Sequence, residues 1–292
     1  MTPLQPPEIH RAAAASGLAW LLQSLALLQR QAASLLLIAV LMQLMISLTR
    51  IPLLGFLVVL ALPALTAGIL EAFAQAAQGT RPRISVLLRP LTTPGRAGSL
   101  FGLGAILFLV GVLTAAMVMS GGVQQLDAET ITRLEQGDVA ALSDLDPAFI
   151  QRMLLAFALG MAVSGTLSYF AIPLIWFHGL PLWSALALGV RALIKNWLPF
   201  IVMTLCLAAV MLPLSFVGTM VMGLASGEGL MSSVAMVLLL IAILFIQLVL
   251  FGAQYCSARQ VFRVEQPPRE IASTEEDDSP KNDSPDDDDQ FV

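Results

Sequence analysis

The chain has 292 residues, 57% of them hydrophobic and only 12% charged. Soluble domains carry about 25% charged residues, so this composition excludes an ordinary soluble globular protein, and nucleic acid is not an expected partner. The net charge of −5 is uneven: residues 265–292 hold eleven of the twenty acids against Arg269 and Lys281, leaving thirteen bases and nine acids, a net of +4, in the remainder. The pattern is a mildly basic membrane body with an acidic appendage.

Residues 1–16 are expected to form a flexible N-terminus, and Met1 to His10 has no basic stretch leading into the short apolar core of a secretory signal. The stretch "GLAWLLQSLALLQRQ" (Gly17–Gln31) follows. On a wheel of about 100° per residue, Leu18, Leu21, Leu22, Leu25 and Leu28 cluster on one side, with Gln23 and Arg30 on the other. That is the pattern of an amphipathic helix lying in the membrane interface.

A helix crossing the hydrocarbon core needs about 20 mostly apolar residues. Six stretches qualify: 33–49, 51–70, 97–120, 153–177, 198–224 and 230–256. The expected fold is therefore an all-α polytopic membrane protein, with six transmembrane helices as three hairpins and a membrane domain over 17–263. Only Arg50 and the Ile51-Pro52 step separate the first two spans. Pro63, Pro173 and Pro213 fall within or near spans, where neighbouring groups must satisfy the freed carbonyls.

The loops alternate in charge. Arg81, Arg83, Arg89 and Arg96 follow span two, within and after "GTRPRISVLLRPL" (Gly79–Leu91), whose prolines shorten any helix. The segment 121–152 has six acids against Arg133 and Arg152 and is expected to be a solvated periplasmic loop. Next comes "GLPLWSALALGVRALIKNWLPF" (Gly179–Phe200), whose Arg191 and Lys195 are the only formal charges between Arg152 and Glu228. On the wheel, Leu182, Trp183, Leu186, Val190, Leu193, Ile194 and Trp197 share an arc of about 120°, opposite Ser184, Arg191 and Lys195, with Leu188 the one exception. Arg259 and Arg263 follow span six. By the positive-inside rule both termini are cytoplasmic. The tail 264–292 has no apolar content with which to fold and is expected to be disordered. Cys206 and Cys256, both in apolar runs, read as free thiols.

Laid out by loops, the chain repeats one plan three times: a basic, partly amphipathic segment and then a hairpin, as membrane folds with internal repeats do. Trp20, Arg30, Arg81, Arg83, Arg89, Trp183, Arg191, Lys195 and Trp197 are the candidates for contact with the interface and lipid headgroups. Gln43, Glu71, His178 and Gln247 are the polar residues that could line a cavity. Glu71 reads either as a functional carboxylate or as an interfacial acid, solvated by headgroup water or paired with a loop arginine; His178 reads as a titrating group or an interfacial anchor. Gly98 with Gly102, and Gly160 with Ser164, permit close helix approach, within the chain or in a homo-oligomer. No nucleophile elbow, HExxH, Walker loop or CxxC pair appears, so no catalytic residue, metal ligand or cofactor is expected.

"GLAWLLQSLALLQRQ", "IPLLGFLVVLALPALTAGILEA" (Ile51–Ala72), "GTRPRISVLLRPL" and "IPLIWFHGLPLWSALALGVRALIKNWLPF" (Ile172–Phe200) together resemble an uncharacterised family of proteobacterial six-span inner-membrane proteins, a domain of unknown function. The likeness covers roughly Gly17 to Arg263. Gln29 and Ala32 depart from it, standing where arginine and proline are typical. The resemblance implies a bacterial inner-membrane location and a six-helix body, and carries over no catalytic residue. Two functions follow as expectations. One is a non-enzymatic scaffold that organises the membrane through lipid contacts. The other is a transporter or channel for an apolar or lipid-like solute. A polar cavity between the hairpins would favour transport, and a filled apolar interior the scaffold.

Overall fold

The computed structural model describes residues 7–119, 132–133, 146–225 and 230–263. Among them, α1 (Ser16–Arg30) and α2 (Ala32–Ser47) lead through a 3₁₀ turn into α3 (Pro52–Ala77). A second 3₁₀ turn (Ile84–Leu87) and the short α4 (Arg89–Thr92) precede α5 (Ala97–Met119). Then come α6 (Pro147–Ser168), α7 (Ala171–His178), α8 (Leu182–Lys195), α9 (Trp197–Ala225) and α10 (Leu230–Phe262). Six helical stretches are long and apolar enough to cross a membrane: Ala32–Arg50, Leu53–Ala77, Ala97–Val118, Pro147–His178, Trp197–Val221 and Ser233–Phe262. The chain is an all-α polytopic membrane protein. The paired helices α2–α3, α5–α6 and α9–α10 pack as three hairpins, each preceded by a short segment.

Several assignments differ from expectation. The sixth span continues to Phe262. The fourth begins at Pro147, inside the segment assigned to a loop, because the Asp146 side chain accepts from the Ala148 N–H at 2.9 Å and Pro147 suits the first helical position. The N-terminus is not free through residue 16: the His10 N–H donates to the Val261 carbonyl at 2.9 Å and the Ala12 N–H to Asn196 Oδ1 at 2.7 Å. The amphipathic helix α1 is also more than an interfacial segment, since it packs along α10 and α9. Apart from Thr132 and Arg133, the remaining acidic segment lies outside the described residues, as does the tail 264–292.

Burial is concentrated at one end. Most buried side chains lie in α1, α2 (Leu35 to Met42), the second half of α3 (Ala64 to Ala76), the first turns of α5 (Leu100, Leu103), residues 171–176 of α7, the body-facing side of α8 and the second half of α10 (Leu244 to Phe262); Phe149, Ala156 and Ala235 are buried apart from them. At the far end the hairpins expose many apolar side chains: Leu53 is 74% exposed, Leu155 69% and Leu212 71%. In a bilayer these surfaces face lipid tails, which are as apolar as the side chains themselves and give helices no reason to close up. The packed end needs a different explanation, and polar and aromatic contacts supply it.

At that end α10 carries a polar stripe at Gln254, Ser257 and Gln260, three residues apart, the first two buried and the third exposed at the rim. Pro173 has no N–H for the Tyr169 carbonyl four residues earlier; Gln254 Nε2 donates to that carbonyl instead, at 2.7 Å. The Tyr169 hydroxyl and Ser257 Oγ are 3.0 Å apart. Gln260 accepts from Trp20 Nε1 at 2.5 Å and donates to Ser16 Oγ at 3.2 Å. Around this seam Phe200 meets Trp20, Tyr169 and Phe170 at ring-centroid distances of 5.4, 5.0 and 5.6 Å, and Phe170 meets Phe262 at 5.2 Å. Such ring pairs contribute about 0.5–1.5 kcal/mol each beyond area burial. One cluster thus joins residues from all three hairpin units.

Close backbone approach completes the packing. A Cβ on Gly104 would strike the Leu60 carbonyl group, whose carbon lies 2.8 Å away, whereas one on Gly111 would meet open space. Gly104→Ala is therefore expected to destabilise the folded chain by about 1–3 kcal/mol, and Gly111→Ala by less than about 0.5 kcal/mol. Thermal unfolding in detergent measures both, and equal midpoints would contradict the close α3–α5 contact.

Candidate functional site

The polar features of the surface gather where α3 ends. Its last turns carry Glu71, Gln75 and Gln78, at spacings of four and three residues that share one face. Gly79, at φ +76°, turns the chain back. The Thr80 N–H and hydroxyl then both donate to the Gln75 carbonyl, at 3.0 and 2.9 Å. The following segment folds onto α3, burying Pro82, Val86, Leu87 and Pro90. Leu87 lies so close to Gly68 that a Cβ there would sit 2.7 Å from the Leu87 Cα. Gly68 precedes the helix end by nine residues, so the chain retraces about 13 Å of α3 at 1.5 Å per residue. The prolines that shorten the expected second amphipathic helix instead leave a re-entrant shelf.

Between shelf and helix lies a cleft of about 780 Å³, lined by Glu71, Gln75, Gln78, Thr80, Arg81, Arg83, Ser85 and Arg89 among others. Glu71 is its one acid. Glu71 Oε2 accepts from Trp176 Nε1 at 3.0 Å, and Oε1 lies 3.6 Å from Arg89 Nη1. The Arg96 guanidinium sits over the Trp176 ring, 5.3 Å from its centroid, a cation–π arrangement. Of the two readings of Glu71, the geometry matches the acid paired with a loop arginine. On the other side of the Arg81–Arg83 ridge, a second cleft of about 710 Å³ runs against α2, with Ala33, Ser34, Leu37, Pro82 and Ile84 in its walls. Arg81 Nε donates to Ser34 Oγ at 3.1 Å, fixing the guanidinium between the two.

The other candidates separate. α8 has three faces. Ala185, Leu186, Gly189 and Ala192 are buried on the body; Trp183 (74% exposed) and Ile194 (65%) project outward; Ser184, Arg191 and Lys195 form a third, polar strip. The apolar arc read from the wheel is therefore divided between protein and surroundings. Lys195 Nζ donates to the Ile9 carbonyl at 2.7 Å. Buried Asn196 holds the same arm, donating to the His10 carbonyl at 3.2 Å. Trp197 begins α9, half-exposed beyond the break at Asn196, and Arg30 is exposed at the end of α1. Trp20 is a correction: expected at the interface, it is 0% exposed, packed against Phe200, and its indole N–H reaches the side chain of Gln260, an exposed residue at the rim of the packed end. Nor do the four candidate cavity residues converge. Glu71 lines the basic cleft, while Gln43, Gln247 and His178 are half-buried elsewhere, His178 against the Phe262 ring. Gly102 and Gly160 serve contacts within the chain, to Leu182 and Thr114, while Gly98 faces open space.

Sequence reasoning missed the Gln75–Gln78 extension of the Glu71 stripe and the polar stripe of α10. Polar residues three or four apart in an otherwise apolar run were the available signal. Among the described residues, no three His, Cys, Asp or Glu side chains gather as a metal site. Cys206 and Cys256 are free thiols, the first half-buried and the second buried. No family model matches this chain, and neither does any curated protein or solved structure.

Glu71→Leu leaves the buried Trp176 N–H without an acceptor and is expected to destabilise the fold by about 1–3 kcal/mol. Glu71→Gln retains an acceptor and loses a long, half-exposed ion pair to Arg89, whose side chain is 62% exposed, worth about 1 kcal/mol. Thermal unfolding of the two variants in detergent checks the order; a larger loss for Glu71→Gln would contradict it.

Proposed function

We propose that this protein is a non-enzymatic membrane-organising or scaffold protein of the bacterial inner membrane, acting through lipid contacts at its packed, basic end. The observation that carries the reading is the interior of that end. It is filled by apolar and aromatic side chains, and the polar groups of the α10 seam are paired, His178 Nδ1 being the buried side-chain atom left without a partner among the described residues, while the polar clefts and the bulky outer face of α8 open at the surface. Ten of the thirteen basic residues that precede the tail belong to this end; only Arg50, Arg133 and Arg152 do not. That asymmetry supports a cytoplasmic packed end, with both termini on the same side.

A carrier of apolar or lipid-like solute is the second reading. It is favoured by an apolar furrow of about 450 Å³ between α5 and α6, with Phe157 and Met161 in its wall. Reconstitution into vesicles containing fluorescent lipid separates the two. The scaffold reading expects lipid scrambling and small-solute leak no faster than in protein-free vesicles. Transport above that background, reduced by Gly160→Leu in the furrow, would sink it.

Orientation is tested separately, in a background lacking Cys206 and Cys256. Cysteines at Thr49 and Ala148 are expected to react with an impermeant maleimide from the periplasm, and cysteines at Ser85 and Ser184 only after the membrane is opened. The reverse pattern would invert the topology.

A further inference from the structure

We infer that the shelf between α2 and α3 is a binding site for an anionic phospholipid, with the phosphodiester held by Arg81 and Arg83. The inference rests on the lipid-contact reading above and assigns it to one place. Three arginines (Arg81, Arg83, Arg89) face one carboxylate in the cleft, a net of +2, and the carboxylate is already engaged by Trp176 and Arg89. The two guanidiniums on the ridge are exposed and unopposed by any other acid in either cleft wall.

Arginine forks match the oxygens of a phosphodiester. Basic pockets between helices on the cytoplasmic side are suited to anionic headgroups. The two clefts differ in the way a lipid differs along its length. The α3 side offers amides and hydroxyls, fit for a polyol headgroup. The α2 side offers Ala33, Leu37 and Ile84, with Leu37 50% and Ile84 45% exposed, fit for the start of an acyl chain. The ridge between them carries the positive charge, and the Arg81–Ser34 hydrogen bond holds its first guanidinium in place. A soluble phosphate would use the arginines but have no use for the apolar wall.

The test uses the full chain in mild detergent with added dioleoylphosphatidylglycerol or dioleoylphosphatidylcholine, counting retained lipid by native mass spectrometry. The wild-type chain is expected to prefer phosphatidylglycerol. Arg81→Gln with Arg83→Gln is expected to lower that retention about tenfold or more, since each basic contact near a headgroup contributes about 1 kcal/mol. Arg30→Gln with Arg191→Gln, outside the cleft, is expected to change it less than about twofold.

The thermal midpoint in phosphatidylcholine serves as the folding control; if the cleft double variant lowers it, Arg83→Gln alone decides. Unchanged retention by the cleft variant overturns the site. Equal losses from both double variants also overturn it, while leaving the wider lipid-contact reading standing on diffuse surface charge. Stabilisation of the chain by inorganic phosphate as strongly as by phosphatidylglycerol would assign the arginines to a soluble anion and overturn the lipid. Scrambling in the vesicle assay would remove the scaffold reading without altering these retention ratios.

Discussion

The packed end of this molecule is organised by the need to satisfy polar groups removed from water, and among its described buried side-chain atoms His178 Nδ1 is the one left without a partner. Pro173 leaves the Tyr169 carbonyl without its helical donor, the Trp20 indole brings an N–H into the core, and the Tyr169 hydroxyl accompanies its ring. All three find partners on one face of α10, at Gln254, Gln260 and Ser257. An unpaired group in such a setting costs several kcal/mol, more than any single aromatic contact around it returns. The seam therefore fixes how α1, α7 and α10 meet, and the rings of Phe170, Phe200 and Phe262 fill the space so defined.

The two ends of the bundle follow different rules. Where polar groups must be matched, the helices are tied together and the glycines allow their backbones to touch. Beyond that region the spans expose many leucines, valines and phenylalanines, as lipid permits. The tied end is also where the short segments lie: the shelf after α3, the three-faced helix α8, and the N-terminal arm clipped by Asn196 and Lys195. A rigid base thus presents basic groups at fixed positions, whereas a loose loop would spread them. That rigidity is what makes a defined lipid contact physically reasonable.

Much of this was legible in the sequence. The six spans emerge from apolar length alone, and the alternation of basic and acidic loops places the arginines at one end. The wheel also identifies α8 as amphipathic. It could not divide the apolar arc, because Leu186 and Trp183 look alike to a hydropathy scale; only the small residues Ala185, Gly189 and Ala192 hinted at which side would pack. Trp20 was misplaced for a related reason. A tryptophan near a membrane boundary suits the interface unless a distant residue accepts its N–H, and Gln260 lies 240 positions away. The shelf was the least visible part, since Pro82 and Pro90 argue only against helix and say nothing of where an irregular segment will fold.

The central claim is that the α10 seam makes the packed end one cooperative unit. Hydrogen–deuterium exchange of the Gln254→Leu variant in lipid nanodiscs, read peptide by peptide against wild type, tests it most directly. A cooperative seam predicts faster exchange not only around residues 169–178 but also in α1 and in the second halves of α3 and α10, with the far halves of α5 and α9 unchanged. Acceleration confined to residues 169–178 would contradict it.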